Sequence, residues 1–234
     1  MGEFAGAPLE GLLKGNNTHV ESLREDTYIG LEDEQHPDVV AVCCADSRVP
    51  QERMWGIDHP GTLFTPSTIG NQCWDVDREA LIVDGGISYA VHHAGVEAIA
   101  VVGHTGCGAV AGAYQLATTG QTPGPRGVDL WLEQLRPVIE EALEDDLVDT
   151  AAAKRQLINQ LVEWNVDAQV RFLTESTDLP SDIPVYGFVY DFQRAYGDEI
   201  GRCYLVNLDG ITEPTKIAEA VPDTHSVAVR SLLW

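Results

Sequence analysis

Apolar residues along this chain follow two alternating patterns. In the first, apolar runs are bounded by polar neighbours: the continuous run of "DVVAVCC" at 38–44, and the candidate strands "VEAIAVVG" at 96–103 and the shorter "GTLFT" at 61–65. Such runs suit strands buried on both faces, as in a parallel sheet. In the second, apolar residues return every three or four positions. Trp131, Leu132, Leu135, Val138, Ile139 and Leu143 mark a long helical region. Asp129 can cap it, and Pro137 is expected to kink or divide it. Leu157, Leu161, Ala168 and Phe172 place another helix within 151–176. "SYAVHHAG" has helical character and stops at Gly95, while "HTGCGAVAGAYQ" begins with glycines and then reads helical.

Near the C-terminus, "IPVYGFVYDF" and "GRCYLVNLDG" read as two strands that can form a hairpin, and residues 8–35 as one or two short helices. Strands alternating with helices predict an α/β fold: a mainly parallel central sheet flanked by helices, with an antiparallel edge from the closing strands. No repeat, low-complexity tract or linker divides the chain. Residues 1–234 are therefore expected as one domain, with 1–35 as an N-terminal helical arm.

Charge narrows the partners. Fourteen basic residues face 37 acidic ones, a net charge of −23, and only Lys14, Lys154 and Lys216 are lysines. Nucleic acid and anionic membranes repel such a chain, so neither is expected as a partner. No apolar run approaches the length that spans a bilayer. "MGEFAGAPLEGLLKGNN" lacks the basic-then-apolar order of a secretory signal. A soluble, cytoplasmic protein is the resulting expectation. Scarce lysine with dispersed acid also points to a halophilic adaptation, since the Debye length shrinks to about 3 Å at 1 M salt.

Five cysteines in such a chain read as metal ligands, catalytic thiols or buried small hydrophobes rather than as a disulfide framework. Two cysteine-bearing stretches follow the C-terminal ends of predicted buried strands, the edge where open α/β sheets bind ligands. Cys44 follows the strand at 38–44; His104 and Cys107 follow the strand at 96–103. If those strands are neighbours, a Cys₂His set converges, which is a catalytic zinc arrangement with a fourth position open. His-x-x-Cys alone is weak; the Cys-x-Asp-x-Arg turn in a matching strand context strengthens it. "GHTGCG" lacks both the dinucleotide fingerprint spacing and a P-loop lysine, which disfavours a phosphate-cradling loop.

"CADSRVP" followed by "VVGHTGCGAV" resembles the zinc signature of the β-class carbonic anhydrases. The likeness extends through "LLKGNN", "PGTLF", "GGISYAVHHAGVEAIAVVGHTGCGAV", the later "WL" and "NVDAQV", roughly residues 9–208. It implies four parallel strands with an antiparallel fifth. It also implies a homodimer or dimer of dimers, with N-terminal helices packed across the interface. Carried over by position, it assigns Cys44, His104 and Cys107 as ligands of one Zn²⁺ per chain, and Asp46 and Arg48 as a catalytic pair. Cys43, one residue earlier on a strand, points to the opposite face and reads as a buried small hydrophobe, as do Cys73 and Cys203.

The implied activity is reversible hydration of carbon dioxide to bicarbonate and a proton by zinc-hydroxide attack. Asp46 would accept a hydrogen bond from the hydroxide, and Arg48 would hold Asp46 off the metal. The proton-exporting group is not legible; His59, His92 and His93 are candidates that also read as surface histidines. One departure stands out. Many relatives carry Arg where this chain has Ser67, and Ala41 stands where one subset has a Trp, so regulation through the bicarbonate pocket those residues form is not expected. Two other readings share the metal: a carbon disulfide or carbonyl sulfide hydrolase on the same scaffold, and a non-catalytic zinc-stabilised assembly module. The Asp46–Arg48 pair argues against the latter, because a structural zinc site needs no such pair.

Overall fold

A computed structural model describes residues 7–78, 80–122 and 124–234. The first six residues of the expected N-terminal arm lie outside the described residues. Helix α1 (Pro8–Ser22) is followed by the first central strand, β1 (Val39–Cys44). Two short pieces, β2 (Leu63–Phe64) and β3 (Ser67–Thr68), both run parallel to β1: Leu63 pairs with Val39 and Ser67 with Cys43. They are one edge strand interrupted at Thr65–Pro66, where proline removes a ladder donor. A separate hairpin, β4 (Trp74–Asp77) and β5 (Ala80–Val83), leads into α2 (Gly85–Tyr89), which continues as a π-turn over Ala90–Ala94 and stops at Gly95 with φ 75°.

Strand β6 (Ala98–His104) is followed by α3 (Gly108–Thr119), α4 (Arg126–Glu144) and α5 (Lys154–Glu175). The chain closes with β7 (Val185–Asp191), β8 (Arg202–Leu208) and α6 (Pro214–Ala220). The sheet order is β2-β1-β6-β7-β8 with β3 beside β1; every pairing is parallel except β7 with β8. Counting β2 and β3 as one strand, this is the expected four parallel strands and an antiparallel edge. Residues 192–201 join β7 to β8, a longer connection than a tight hairpin turn.

Strand alternation sorts side chains between two layers. Val40, Val42 and Cys44 of β1 join Ile99 and Val101 of β6 in the main core, packed with Leu132, Leu135 and Ile139 of α4 and Leu161 and Val166 of α5. Ala41, Cys43, Ala100 and Val102 face the other way into a thinner layer with Met54, Trp55 and Phe188. Helix α5 sits close on the sheet because Gly103 has no side chain: a Cβ there would lie 2.7 Å from a Val166 methyl.

The structure departs from the sequence expectations at three points. Helix α4 begins at Arg126 after Pro125, so Asp129 lies inside its first turn and does not cap it. Pro137 does not divide α4, which runs through to Glu144. The β4–β5 hairpin lies outside the expected strands, because "WDVD" and "ALIV" leave Val76, Leu81 and Ile82 exposed and carry no buried-strand pattern. No helix among the described residues is long and apolar enough to cross a membrane.

Candidate metal centre

Strands β1 and β6 are direct parallel neighbours, with Cys43 opposite Val102. Their C-terminal ends therefore deliver Cys44 and His104 to one edge of the sheet. Past His104 the chain turns through Gly106, at φ 67°, and Cys107 becomes the residue preceding α3. A positive φ suits glycine, and a Cβ at 106 would also collide with the Gln193 side-chain amide. Three sequence-selected ligands thus meet: the Sγ atoms of Cys44 and Cys107 and a ring nitrogen of His104 all lie within 4.8 Å of one another, and all three residues are buried.

The donor set fits a tetrahedral zinc. The two sulfurs stand 3.8 Å apart. Sulfurs about 2.3 Å from zinc at a tetrahedral angle would be separated by roughly that distance. The imidazole is oriented too. Its Nδ1 lies 3.1 Å from the Thr105 carbonyl, which can only accept, so Nδ1 carries the proton. Nε2 is then left with a lone pair, and it is buried without a hydrogen-bond partner. A backbone carbonyl fixing one nitrogen while the other faces outward is the usual outer support of a metal-binding histidine.

Electrostatics of the thiols follow from their pairing. The hydrogen bond from Cys44 to Cys107 raises Cys44, which burial raises further. The same contact lowers Cys107, with help from the Val110 and Ala109 N–H groups at the start of α3 and against the cost of burial. As a pair, one proton leaves readily and the second is held by the first thiolate and by burial. A cation between the sulfurs would release both.

Asp46 and Arg48 flank this trio. Arg48 donates from Nε to Oδ1 of Asp46 at 2.8 Å and from Nη2 to Oδ2 at 2.7 Å, a two-point contact. The Arg48 N–H adds a third bond to Oδ1 at 2.9 Å. The Arg48 contact is the main reason Asp46 lies well below the ordinary carboxylate range. Oδ2 of Asp46 is 3.5 Å from Nε2 of His104, beside the atom that lacks a partner. Arg48 also donates to the Gly106 carbonyl at 3.2 Å.

The family model described as "Carbonic anhydrase" matches residues 39–196, more than half of the chain. A crystal structure of a tetrameric β-carbonic anhydrase from Sordaria macrospora superposes with a TM-score of 0.66 at 26% identity, covering 79% of this chain and 92% of that one. This chain belongs to the β-class carbonic anhydrases. The β-carbonic anhydrase CafA of Aspergillus fumigatus superposes with a TM-score of 0.61 at 27% identity, over 90% of this chain and 91% of that one. In sequence, this β-class chain is 27% identical to a carbonic anhydrase of Helicobacter pylori over 208 residues, covering 85% of this chain and 89% of the relative. A carbonic anhydrase of Pseudomonas aeruginosa is 28% identical over 76% of this chain and 79% of its own length.

The structure also places residues that the sequence analysis set aside. Cys43 points away from the trio into the thin layer, fully buried, and that burial pushes its thiol up to about 12. Cys73 is buried and Cys203 partly so. Ser67 exchanges hydrogen bonds with Gln51, and Ala41 is fully buried. His59 neighbours Asp58 and Thr62, His92 the Asp178 carbonyl, and His93 the Tyr89 ring; each candidate shuttle has a partner of its own.

Three site residues escaped the sequence analysis: Asn159, Phe192 and Gln193. Asn159 on α5 accepts from the Gly106 N–H at 2.8 Å, and the Gln193 side chain accepts from Asn159 Nδ2 at 3.2 Å. The available signal was strand register. Tyr190 of β7 pairs with His104 of β6, so residues just past 190 reach the same edge as Thr105 to Cys107.

Proposed function

We propose that this carbonic anhydrase hydrates carbon dioxide reversibly to bicarbonate and a proton, with one zinc per chain held by Cys44, His104 and Cys107. The observation that carries the reading is the unpartnered Nε2 of His104, buried between two thiols and 3.5 Å from an Asp46 oxygen. Zinc bound there supplies the Lewis acidity that makes water a nucleophile near neutral pH, less strongly than with three histidines because two thiolates offset its charge.

The chain's own groups do the rest. Asp46, held far below its ordinary range by Arg48, stays a carboxylate at every working pH. It is therefore a permanent hydrogen-bond acceptor and a poor proton carrier, which fits an orienting role towards the attacking oxygen. Arg48 occupies both Asp46 oxygens, and so competes with any metal for them. Burial of the cysteines and of His104 keeps bulk water off the ligand side. Stopped-flow hydration of carbon dioxide by zinc-replete protein tests the reading: activity lost to a chelator and restored by zinc is expected, and an inactive zinc-replete protein rejects it.

Assembly belongs to the same proposal. Helix α1 buries none of its residues, and Leu9, Leu12 and Leu13 are 71%, 59% and 60% exposed. An apolar stripe of this kind suits packing across a homodimer or dimer of dimers, and light scattering that finds an active monomer would reject it. Five free thiols suit the reducing cytoplasm. We read the net charge of −23 as an adaptation to concentrated salt. Melting temperature and subunit association should both fall on dilution to about 0.05 M salt, where charges repel over more than 10 Å; insensitivity of both rejects that reading.

A further inference from the structure

Phe192 occupies an unusual place beside the site. Its ring stacks against the His104 imidazole, with centroids 5.8 Å apart and planes 23° from parallel. The Arg48 guanidinium carbon lies 4.7 Å from the centroid of the same ring. One aromatic side chain therefore touches both a candidate metal ligand and the partner of Asp46. Its own position is well determined: the Phe192 N–H donates to Thr105 Oγ1 at 3.2 Å, and that hydroxyl donates to the fully buried Asp191 at 3.2 Å. Phe192 is thus tied to the residue between His104 and Gly106.

Arg48 needs such support. Its side chain is 48% exposed, against 19% for Asp46. An ion pair open to water on one side is weak, and long side chains leave it readily. The carbonyl of Gly106 supplies one further contact. The ring face supplies another, through the attraction of a cation for π electrons.

We propose that Phe192 is a positioning residue for Arg48, keeping the guanidinium on Asp46 so that the carboxylate stays off the metal; this rests on the zinc-site reading above. Without the ring, Asp46, already 3.5 Å from His104 Nε2, takes the open metal position for more of the time. Leucine keeps the apolar bulk and loses the π face; tyrosine keeps the face.

The test compares F192L and F192Y as full-length proteins, loaded with zinc for kinetics and with cobalt(II) for visible spectra and azide titration. In F192L, kcat should fall roughly 2- to 30-fold, the span of an exposed to desolvated cation–π contact, with KM unchanged. Its cobalt spectrum should shift and its azide affinity should drop, while F192Y matches wild type in all three. Adding Asp46→Asn to F192L should restore the wild-type azide affinity, because the amide does not compete for the metal. Wild-type kinetics and spectra in F192L overturn the proposal. If F192L fails to fold, F192M replaces it; if neither folds with metal bound, the ring serves packing and the proposal is overturned. A zinc-loaded wild type without carbon dioxide hydration rejects the functional reading alone, because the cobalt and azide measurements still decide the role of Phe192.

Discussion

Two of the buried polar centres among the described residues are built on opposite plans. One is the trio of Cys44, His104 and Cys107 with Asp46 alongside. The other lies on α5 and the strand β7 end, where Glu163 and Asp191 are buried carboxyls. Glu163 receives the Tyr196 hydroxyl at 2.7 Å, the Leu232 N–H at 2.8 Å and the Ser231 hydroxyl. Asp191 receives the Gln193 N–H at 2.8 Å, the Tyr196 N–H at 2.9 Å and the Thr105 hydroxyl. Every donor in that centre comes from the chain itself. In the first centre, by contrast, His104 Nε2 has no partner and the two thiols face only each other and the ring. A structural polar centre closes on itself, because an unmet buried group costs stability. A centre meant for an incoming group leaves a lone pair aimed at the space that group will fill.

The largest expected effect breaks the first centre. Cys107→Ser should lose zinc and nearly all activity, while Cys43→Ser, on the other face of the same strand as Cys44, keeps both; metal analysis with turnover measurements checks this. Full zinc in Cys107→Ser would remove that residue from the ligand set. Next come Asp46→Asn and Arg48→Ala. They should keep the metal and lose activity by about 10²–10⁴-fold, the range of acid–base and orienting groups. Unchanged turnover in either would reduce the pair to a surface salt bridge.

The second centre should respond in stability, not in metal binding. Glu163→Ala strands the Tyr196, Ser231 and Leu232 donors and should cost roughly 2–4 kcal/mol in urea unfolding with zinc content intact. Loss of zinc in that variant would erase the contrast between the two centres.

The smallest effect concerns pH. Asp167, one helical turn beyond Glu163, is raised to about 8, chiefly by burial and then by the Glu163 charge, against the Asn207 hydrogen bond and the Arg171 charge. A carboxyl with a raised folded value holds a proton that the unfolded chain has already released. Its contribution to stability is full below the unfolded value, near pH 4, and is lost as pH rises through about 8. Some solvent access at Asp167 reduces the effect below the full shift. Asp167→Asn should therefore match wild type near pH 4 and exceed it by roughly 1–2 kcal/mol near pH 9. A constant difference across that range would mean Asp167 is ionised throughout.

Site and fold were not equally legible. Unbroken apolar runs identified β1 and β6, because a strand buried on both faces tolerates few polar residues. The convergence of Cys44, His104 and Cys107 as candidate ligands was legible because metal chemistry restricts residue type and these residues sit at strand ends. Asn159, Asn165, Glu163 and Gln169 leave no mark in the apolar spacing that identifies α5. In the structure these polar residues are buried, and three of them hold turns distant in sequence: Asn159 the Gly106 N–H, Asn165 the Gly70 carbonyl, and Gln169 the Cys73 N–H.

By itself, then, the sequence determined the strand cores, the candidate donor types and the acid–guanidinium pair, all matters of local pattern and chemical identity. Tertiary structure alone decided which nitrogen of His104 is free, because that depends on where the Thr105 carbonyl falls after the turn. It also decided that Phe192 meets Arg48, a contact across 144 positions that exists only because β7 lies beside β6 in a register pairing Tyr190 with His104. Pairing register and turn geometry are collective properties of the packed sheet, and no single stretch of residues encodes them.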